Sequence, residues 1–275
     1  MFEQKSSSSM LCPNCGRLIS TNSESCYFCG YRNPNKFGFT QFFRRLFGPQ
    51  FNVIKAIIYF CSGIYLLCLV MDPRAIFDVS DPLRLLSPSN LVLLKLGSTG
   101  TYALRLGRWW SPLTAIFLHG GLLHILFNML WVRQIGPMVE EFYGTARFII
   151  IFVLSGVIGF IASILGGHQL TIGASGSIFG LLGALVYYGR QRGGYFGENI
   201  YRQTATWALI LFAFGFFMSG IDNFAHGGGF LGGYLTALWV SFSERRREFL
   251  WHKFLASALI VATILAFLVN IWQII

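Results

Sequence analysis

Gly173-Ala174-Ser175-Gly176-Ser177-Ile178-Phe179-Gly180 lies between an apolar run that ends near Leu165 and another that continues to Tyr188. A hydroxyl flanked by glycines, where a chain re-enters a membrane as a helix, is held bare at the helix N-terminus. There the unpaired backbone N–H groups favour negative charge. Gly176, Gly180 and Gly183 alone fit ordinary close packing of membrane helices. What sets Ser175 apart is the company it keeps elsewhere in the chain.

The setting is a membrane. The 275 residues are 54% hydrophobic and 12% charged, with a mean hydropathy of +0.58, and several runs reach the roughly 18–20 residues needed to cross a bilayer. Spans are expected at 53–71, 112–134, 147–166, 175–190, 205–220, 224–242 and 253–274. The formal charge of +10 does not imply nucleic acid, because Lys and Arg collect in cytoplasmic loops of membrane proteins and no stacking-rich basic patch accompanies them. The opening MFEQKSSSSM has no hydrophobic signal region. Arg44, Arg45, Lys55, Arg133, Arg147, Arg190, Arg192, Arg202, Arg245, Arg246, Arg247 and Lys253 fall on one side if the N-terminus is cytoplasmic and the C-terminus outside. The 72–111 loop, with Pro73, Pro82, Pro88 and Trp109-Trp110, is too long for a connector and is expected to pack on the membrane surface.

Residues 1–36 form a separate unit. Cys12-x-x-Cys15 and Cys26-x-x-Cys29 are each followed by a glycine, Gly16 and Gly30. Two such turns complete a closed four-thiolate site that suits a structural Zn²⁺, and metal binding supplies folding energy that so short a segment lacks. Two disulfides or a redox pair are the alternatives. They need an oxidising compartment or a βαβ setting, and the glycine after each pair favours zinc. No ligand position is left open, so docking to a protein partner or regulation fits better than catalysis. Residues 37–52 read as an amphipathic linker with Arg44 and Arg45 at the lipid surface. Cys61 and Cys68 read as packing residues.

Polar side chains within spans are costly and mark function by default. Span two carries His119, His124 and Asn128, the last two an i, i+4 pair on one face. Span six opens with Ala225-His226, and Gly229 and Gly233 let its backbone approach another helix closely. A serine hydroxyl becomes a nucleophile when an imidazole takes its proton. Asn and His side chains, with a helix N-terminal N–H, can stabilise the oxyanion of a tetrahedral intermediate. Asp222 is one turn from His226 and is expected at the surface, so a Ser175–His226 dyad is the better reading than a triad.

These motifs resemble the rhomboid family of intramembrane serine proteases over about residues 53–242: His119…His124…Asn128, Gly173-Ala174-Ser175-Gly176, Ala225-His226 with Gly229 and Gly233, and Glu141…Gly144…Arg147. The resemblance implies an all-α polytopic membrane protein, a rhomboid-like helical bundle of six core spans (53–242) followed by a cytoplasmic loop and a seventh span (243–275); the N-terminal zinc ribbon, read from its cysteines, lies outside that core. The resemblance also implies Ser175 as nucleophile, His226 as general base and then acid, Asn128 and His124 with the Ser175 N–H as oxyanion hole, and no cofactor for catalysis. His119 would brace the 72–111 loop. Phe179 stands where the family often has a tyrosine stacked on the catalytic histidine. The family's Trp-Arg pair in that loop is replaced by Trp109-Trp110, with Arg108 as a substitute. Implied substrates are single-span membrane proteins, cut in the lipid bilayer of a bacterial plasma membrane. A non-catalytic, client-binding rhomboid-like protein is the alternative, but such proteins typically lack the serine or the histidine. A transporter would show internal repeats or more charge at mid-depth.

Overall fold

The side-chain oxygen of Asn52 accepts hydrogen bonds from the N–H groups of Ile54 (2.9 Å) and Lys55 (3.2 Å). This satisfies two orphan donors and starts helix α1, Val53–Met71. The computed structural model describes residues 9–12, 17–20, 23–31, 52–77, 85–218, 220–242 and 248–273. After α1 come four short helices: α2 (Arg74–Phe77), α3 (Asn90–Leu96), α4 (Thr101–Arg105) and α5 (Ser111–Ala115). Six long ones follow: α6 (Leu122–Tyr143), α7 (Thr145–Leu165), α8 (Ser175–Arg192), α9 (Gly194–Phe217), α10 (Asn223–Val240) and α11 (Leu250–Trp272).

The seven long helices form an all-α membrane bundle. Among the described residues, α1, α6, α7 and α11 are each long and apolar enough to cross a membrane by themselves. Helix α8 is less apolar for a reason visible in its packing. Every residue of α8 from Gly176 to Gly189 is buried, so its outer surface meets protein rather than lipid. It is walled by α6, α7, α9 and α10.

Glycine sets how closely α8 and α10 approach. A Cβ at Gly229 would strike the Gly176 carbonyl, and one at Gly233 the Gly180 carbonyl. Helix α7 joins them, since a Cβ at Gly159 would lie 2.6 Å from the Ala225 carbonyl oxygen. Small residues at helix contacts trade side-chain volume for close backbone packing.

A long helix lies at each expected span, with shifted ends. The second span does not begin at 112: α5 ends at Ala115, an irregular segment carries His119, and α6 starts after Gly120-Gly121. Span five begins eleven residues early, at Gly194, because only a Gly193-Gly194 turn with φ of +60° and +63° separates it from α8. Arg147 is not a loop charge; it is 1% exposed inside the bundle. Cys61 and Cys68 are fully buried packing residues. From residue 85 on, the 72–111 loop folds against the bundle, with Val92, Leu93 and Leu96 packed on Cys68 and Leu118.

At the N-terminal end, β1 (Ser9–Leu11) pairs antiparallel with β2 (Leu18–Ser20), Ser9 facing Ser20. Cys15, the linker before Asn52, and Arg245, Arg246 and Arg247 lie outside the described residues.

Candidate active site

Ser175 is the first residue of α8, partly exposed, and the chain reaches it through a segment pinned on both sides. Thr99 and Thr171 exchange both backbone hydrogen bonds (3.1 and 2.7 Å), and the Gly173 N–H donates to the Ala115 carbonyl at 2.9 Å. The folded 72–111 loop therefore holds the strand that delivers the serine. Gly173 has φ +113°, in the region glycine tolerates best. A Cβ there would lie 2.6 Å from His124 Nε2.

That contact orients His124. Its Nδ1 accepts the Gly120 N–H at 3.3 Å, so in the neutral ring Nε2 carries the proton. An N–H donor thus sits beside Gly173, two residues before Ser175. Asn128, one turn on, is 6% exposed. Its Nδ2 donates to the His124 carbonyl at 2.7 Å, while Oδ1 is buried without a partner. His119 is fully buried and meets the His124 ring edge-on, centroids 5.2 Å apart. Among the described residues the two ring nitrogens of His119 have no hydrogen-bond partner, in the 72–111 loop or elsewhere.

His226 lies in the first turn of α10. Its ring stacks on Phe179 of α8, centroids 4.3 Å apart and planes 19° from parallel. Its Nδ1 is buried without a hydrogen-bond partner. Among the described residues Ser175 and His226 share no hydrogen bond. Catalytic contacts in ligand-free proteins are often long and tighten only with substrate. Ser175, Phe179 and His226 thus occupy one helix pair whose spacing glycine fixes, with His124 and Asn128 brought in by α6.

Asp222 is not at the surface. It caps α10, accepting the Ala225 N–H at 2.9 Å, and receives the hydroxyls of Ser163 and, at 2.9 Å, Thr171. His168 Nδ1 approaches it to 3.8 Å. The carboxylate is occupied in fixing the start of α10, which supports a dyad.

In the loop, Arg108 Nη1 donates to the Leu94 carbonyl at 2.5 Å, so Arg108 does brace it. A second brace had no counterpart in the motif reading: the Trp110 indole N–H donates to Asn270 of α11 at 2.9 Å. Its signal in sequence is a lone asparagine within an apolar run, Ala266-Phe267-Leu268-Val269-Asn270-Ile271. Far from Ser175, at the start of α7, Arg147 donates to the Tyr143 carbonyl (3.2 Å) and to His252 (3.3 Å). Glu248 accepts the Ala146 N–H at 2.6 Å.

In the N-terminal hairpin the sulfurs of Cys12, Cys26 and Cys29 lie within 4.8 Å of one another and are buried. Gly30, with φ +70°, returns its N–H to the Cys26 carbonyl at 2.8 Å. Three convergent thiols on tight turns fit a thiolate-loving ion such as Zn²⁺.

A family model described as Rhomboid domain matches residues 106–243. The chain is 38% identical over 151 residues to "Rhomboid protease GluP" of Bacillus subtilis (strain 168), covering 55% of this chain and 30% of that protein. It is 36% identical over 177 residues to "RHOMBOID-like protein 5" of Arabidopsis thaliana, covering 61% of this chain and 56% of that protein. It is 34% identical over 143 residues to "Putative rhomboid protease YdcA" of Bacillus subtilis (strain 168), covering 51% of this chain and 72% of that protein. The matched stretch is thus under two thirds of GluP and of RHOMBOID-like protein 5. With the domain matched over half its length and most of YdcA aligned, this chain, an integral membrane protein, belongs to the rhomboid family.

Proposed function

We propose that the protein is an intramembrane serine endopeptidase that cleaves single-span membrane proteins through a Ser175–His226 dyad. One observation carries this reading. The helix that begins with Ser175 stacks His226 on its first turn, through Phe179, and meets His124 at its mouth, against Gly173.

Ser175 Oγ attacks the carbonyl carbon of the scissile bond, and its proton passes to His226. The oxyanion receives hydrogen bonds from the Ser175 N–H, the His124 Nε2–H and Asn128 Nδ2. As the C–N bond breaks, His226 returns the proton to the leaving amine, leaving an acyl-serine. Water, deprotonated by His226, then attacks that ester, and the serine recovers its proton. No cofactor enters any step. Residues 53–242 form the catalytic core, and Cys12, Cys15, Cys26 and Cys29 hold a structural Zn²⁺. The charge distribution supports a cytoplasmic N-terminus, with the protein placed in a bacterial plasma membrane.

The test is made in liposomes, with Ser175→Ala as control. Cleavage of a generic single-span substrate and labelling by a fluorophosphonate, both lost in the control, are expected. Absence of both from folded protein would leave the client-binding reading in front.

A further inference from the structure

Asn270 is 1% exposed near the end of α11, a helix outside the matched domain. A buried amide in an apolar helix is costly unless its hydrogen bonds are made. Here they are made to one stretch of chain, from Leu96 in the 72–111 loop to Thr114 just after it. Oδ1 accepts the Trp110 Nε1–H at 2.9 Å; Nδ2 donates to the Leu96 carbonyl at 3.1 Å and approaches Thr114 Oγ1 at 3.5 Å. Thr114 in turn donates to the Gly97 carbonyl at 2.6 Å. Gly97 ends α3 with φ +106°, and a Cβ there would strike both Asn270 Nδ2 and Thr114 Oγ1.

The residues held by Asn270 flank those that hold the serine. Thr99, two residues past Gly97, pairs with Thr171, and Ala115, next to Thr114, receives the Gly173 N–H. Ser111, next to Trp110, donates its hydroxyl to Thr99 Oγ1 at 2.9 Å. Thr171 also donates to Asp222, the cap of the helix bearing His226.

We infer that Asn270 is a positioning residue: the seventh helix holds the 72–111 loop in register, and through the Thr99–Thr171 and Gly173–Ala115 bonds aligns Ser175 with His226. The inference rests on the protease reading for its effect on turnover, but not for its effect on the loop.

The experiment compares wild type, Ser175→Ala, Asn270→Leu, Trp110→Phe and the double variant Asn270→Leu/Trp110→Phe, all full-length in liposomes. Asn270→Leu keeps the branching at Cγ and removes every hydrogen bond. Trp110→Phe removes one donor in a milder setting. Two readouts are taken: kcat and KM per fluorophosphonate-labelled site, and amide exchange at Thr99 and Thr171. Small displacements of a reacting group cost roughly ten- to a hundredfold in rate. Asn270→Leu is therefore expected to lower kcat about tenfold with KM within about twofold. Exchange at Thr99 and Thr171 is expected to speed up while that in α8 does not, Trp110→Phe is expected to show a smaller effect of both kinds, and the double variant to be no worse than Asn270→Leu. Unchanged kcat per labelled site, with only a lower melting temperature, overturns the inference. If wild type itself neither labels nor cleaves, the protease reading fails, and exchange decides alone. Equal protection of Thr99 and Thr171 in wild type and variants then overturns it.

Discussion

Phe179 lies flat against His226, ring centroids 4.3 Å apart and 19° from parallel, on helices that glycine lets approach backbone to backbone. The stack fixes one face of the imidazole while leaving its edge for proton transfer. An aromatic pair is worth about 0.5–1.5 kcal/mol beyond burial, or roughly two- to tenfold in a rate that depends on ring orientation. Phe179→Leu, which keeps bulk and loses the stack, is expected to lower kcat by that factor. Phe179→Tyr keeps the ring and is expected to stay within about twofold. Cleavage rates per labelled site check both; equal rates for Leu and Phe would remove the stack from the mechanism.

Gly233 and Gly63 make a matched pair. A Cβ at Gly233 would collide with the Gly180 backbone, whereas one at Gly63 meets nothing within 4 Å. Gly233→Ala therefore forces α8 and α10 apart, costing about 1–3 kcal/mol or more and reducing activity with stability. Gly63→Ala sits in α1 and is expected to be neutral or to stabilise by up to about 1 kcal/mol. Thermal unfolding in detergent distinguishes them, and equal tolerance of both would contradict the close packing.

Much of this was legible in the residues because it is local or periodic. The apolar runs placed seven helices and the Gly229 and Gly233 spacing marked the close helix pair, while the stack of Phe179 on His226 followed from the resemblance to the family. What escaped depends on partners far away in the chain. Asn270 reaches Trp110 across 160 residues, and Glu248 caps a helix about a hundred residues earlier. Asp222 looked exposed because nothing nearby in sequence shows Ser163 and Thr171 converging on it. Arg147 counted as a loop charge, because burial is a property of the bundle and not of the pentapeptide around it.

Glu248 supplies a pH dependence. Its carboxylate accepts the N–H groups of Ala146 and Arg147 at 2.6 and 3.3 Å, at the positive end of α7. Gly144 makes room for it, since a Cβ there would lie 2.8 Å from Oε1. Burial nevertheless pushes the carboxyl above its ordinary range, outweighing the backbone N–H groups and the nearby Lys253 and Arg147 charges. A raised acid keeps its proton longer in the folded state than in the unfolded one. Stability from this group is therefore greatest below the ordinary carboxylate range and falls as pH rises through the raised value. Glu248→Gln is expected to flatten that part of the profile of melting temperature against pH. Glu248→Ala, losing the cap, is expected to cost about 0.5–2 kcal/mol at all pH values. Parallel profiles for wild type and Glu248→Gln would show that the carboxyl titrates as it does in the unfolded chain.

The N-terminal hairpin invites a metal test whose effects should stay local. Cys12, Cys26 and Cys29 converge within 4.8 Å, and a thiolate site in so small a module supplies most of its folding energy. Purified protein is expected to carry about one zinc per chain, lost in Cys26→Ser and on treatment with a strong chelator. Among the described residues, Tyr31 meets the helical bundle with its ring 5.0 Å from Lys253 Nζ, at the start of α11. A contact of that kind is worth about 0.5–1 kcal/mol when exposed, too little to carry the unfolding of one part into the other. Chelation should therefore open residues 9–31 to protease while moving the melting temperature of the helical core by only a degree or two, about what that energy allows. Metal content by emission spectroscopy, limited proteolysis and core melting, measured on one preparation, decide it. Full zinc occupancy in Cys26→Ser would remove that thiol from the ligand set. Collapse of the core on chelation would mean that the N-terminal segment grips the bundle through more than the Tyr31–Lys253 contact.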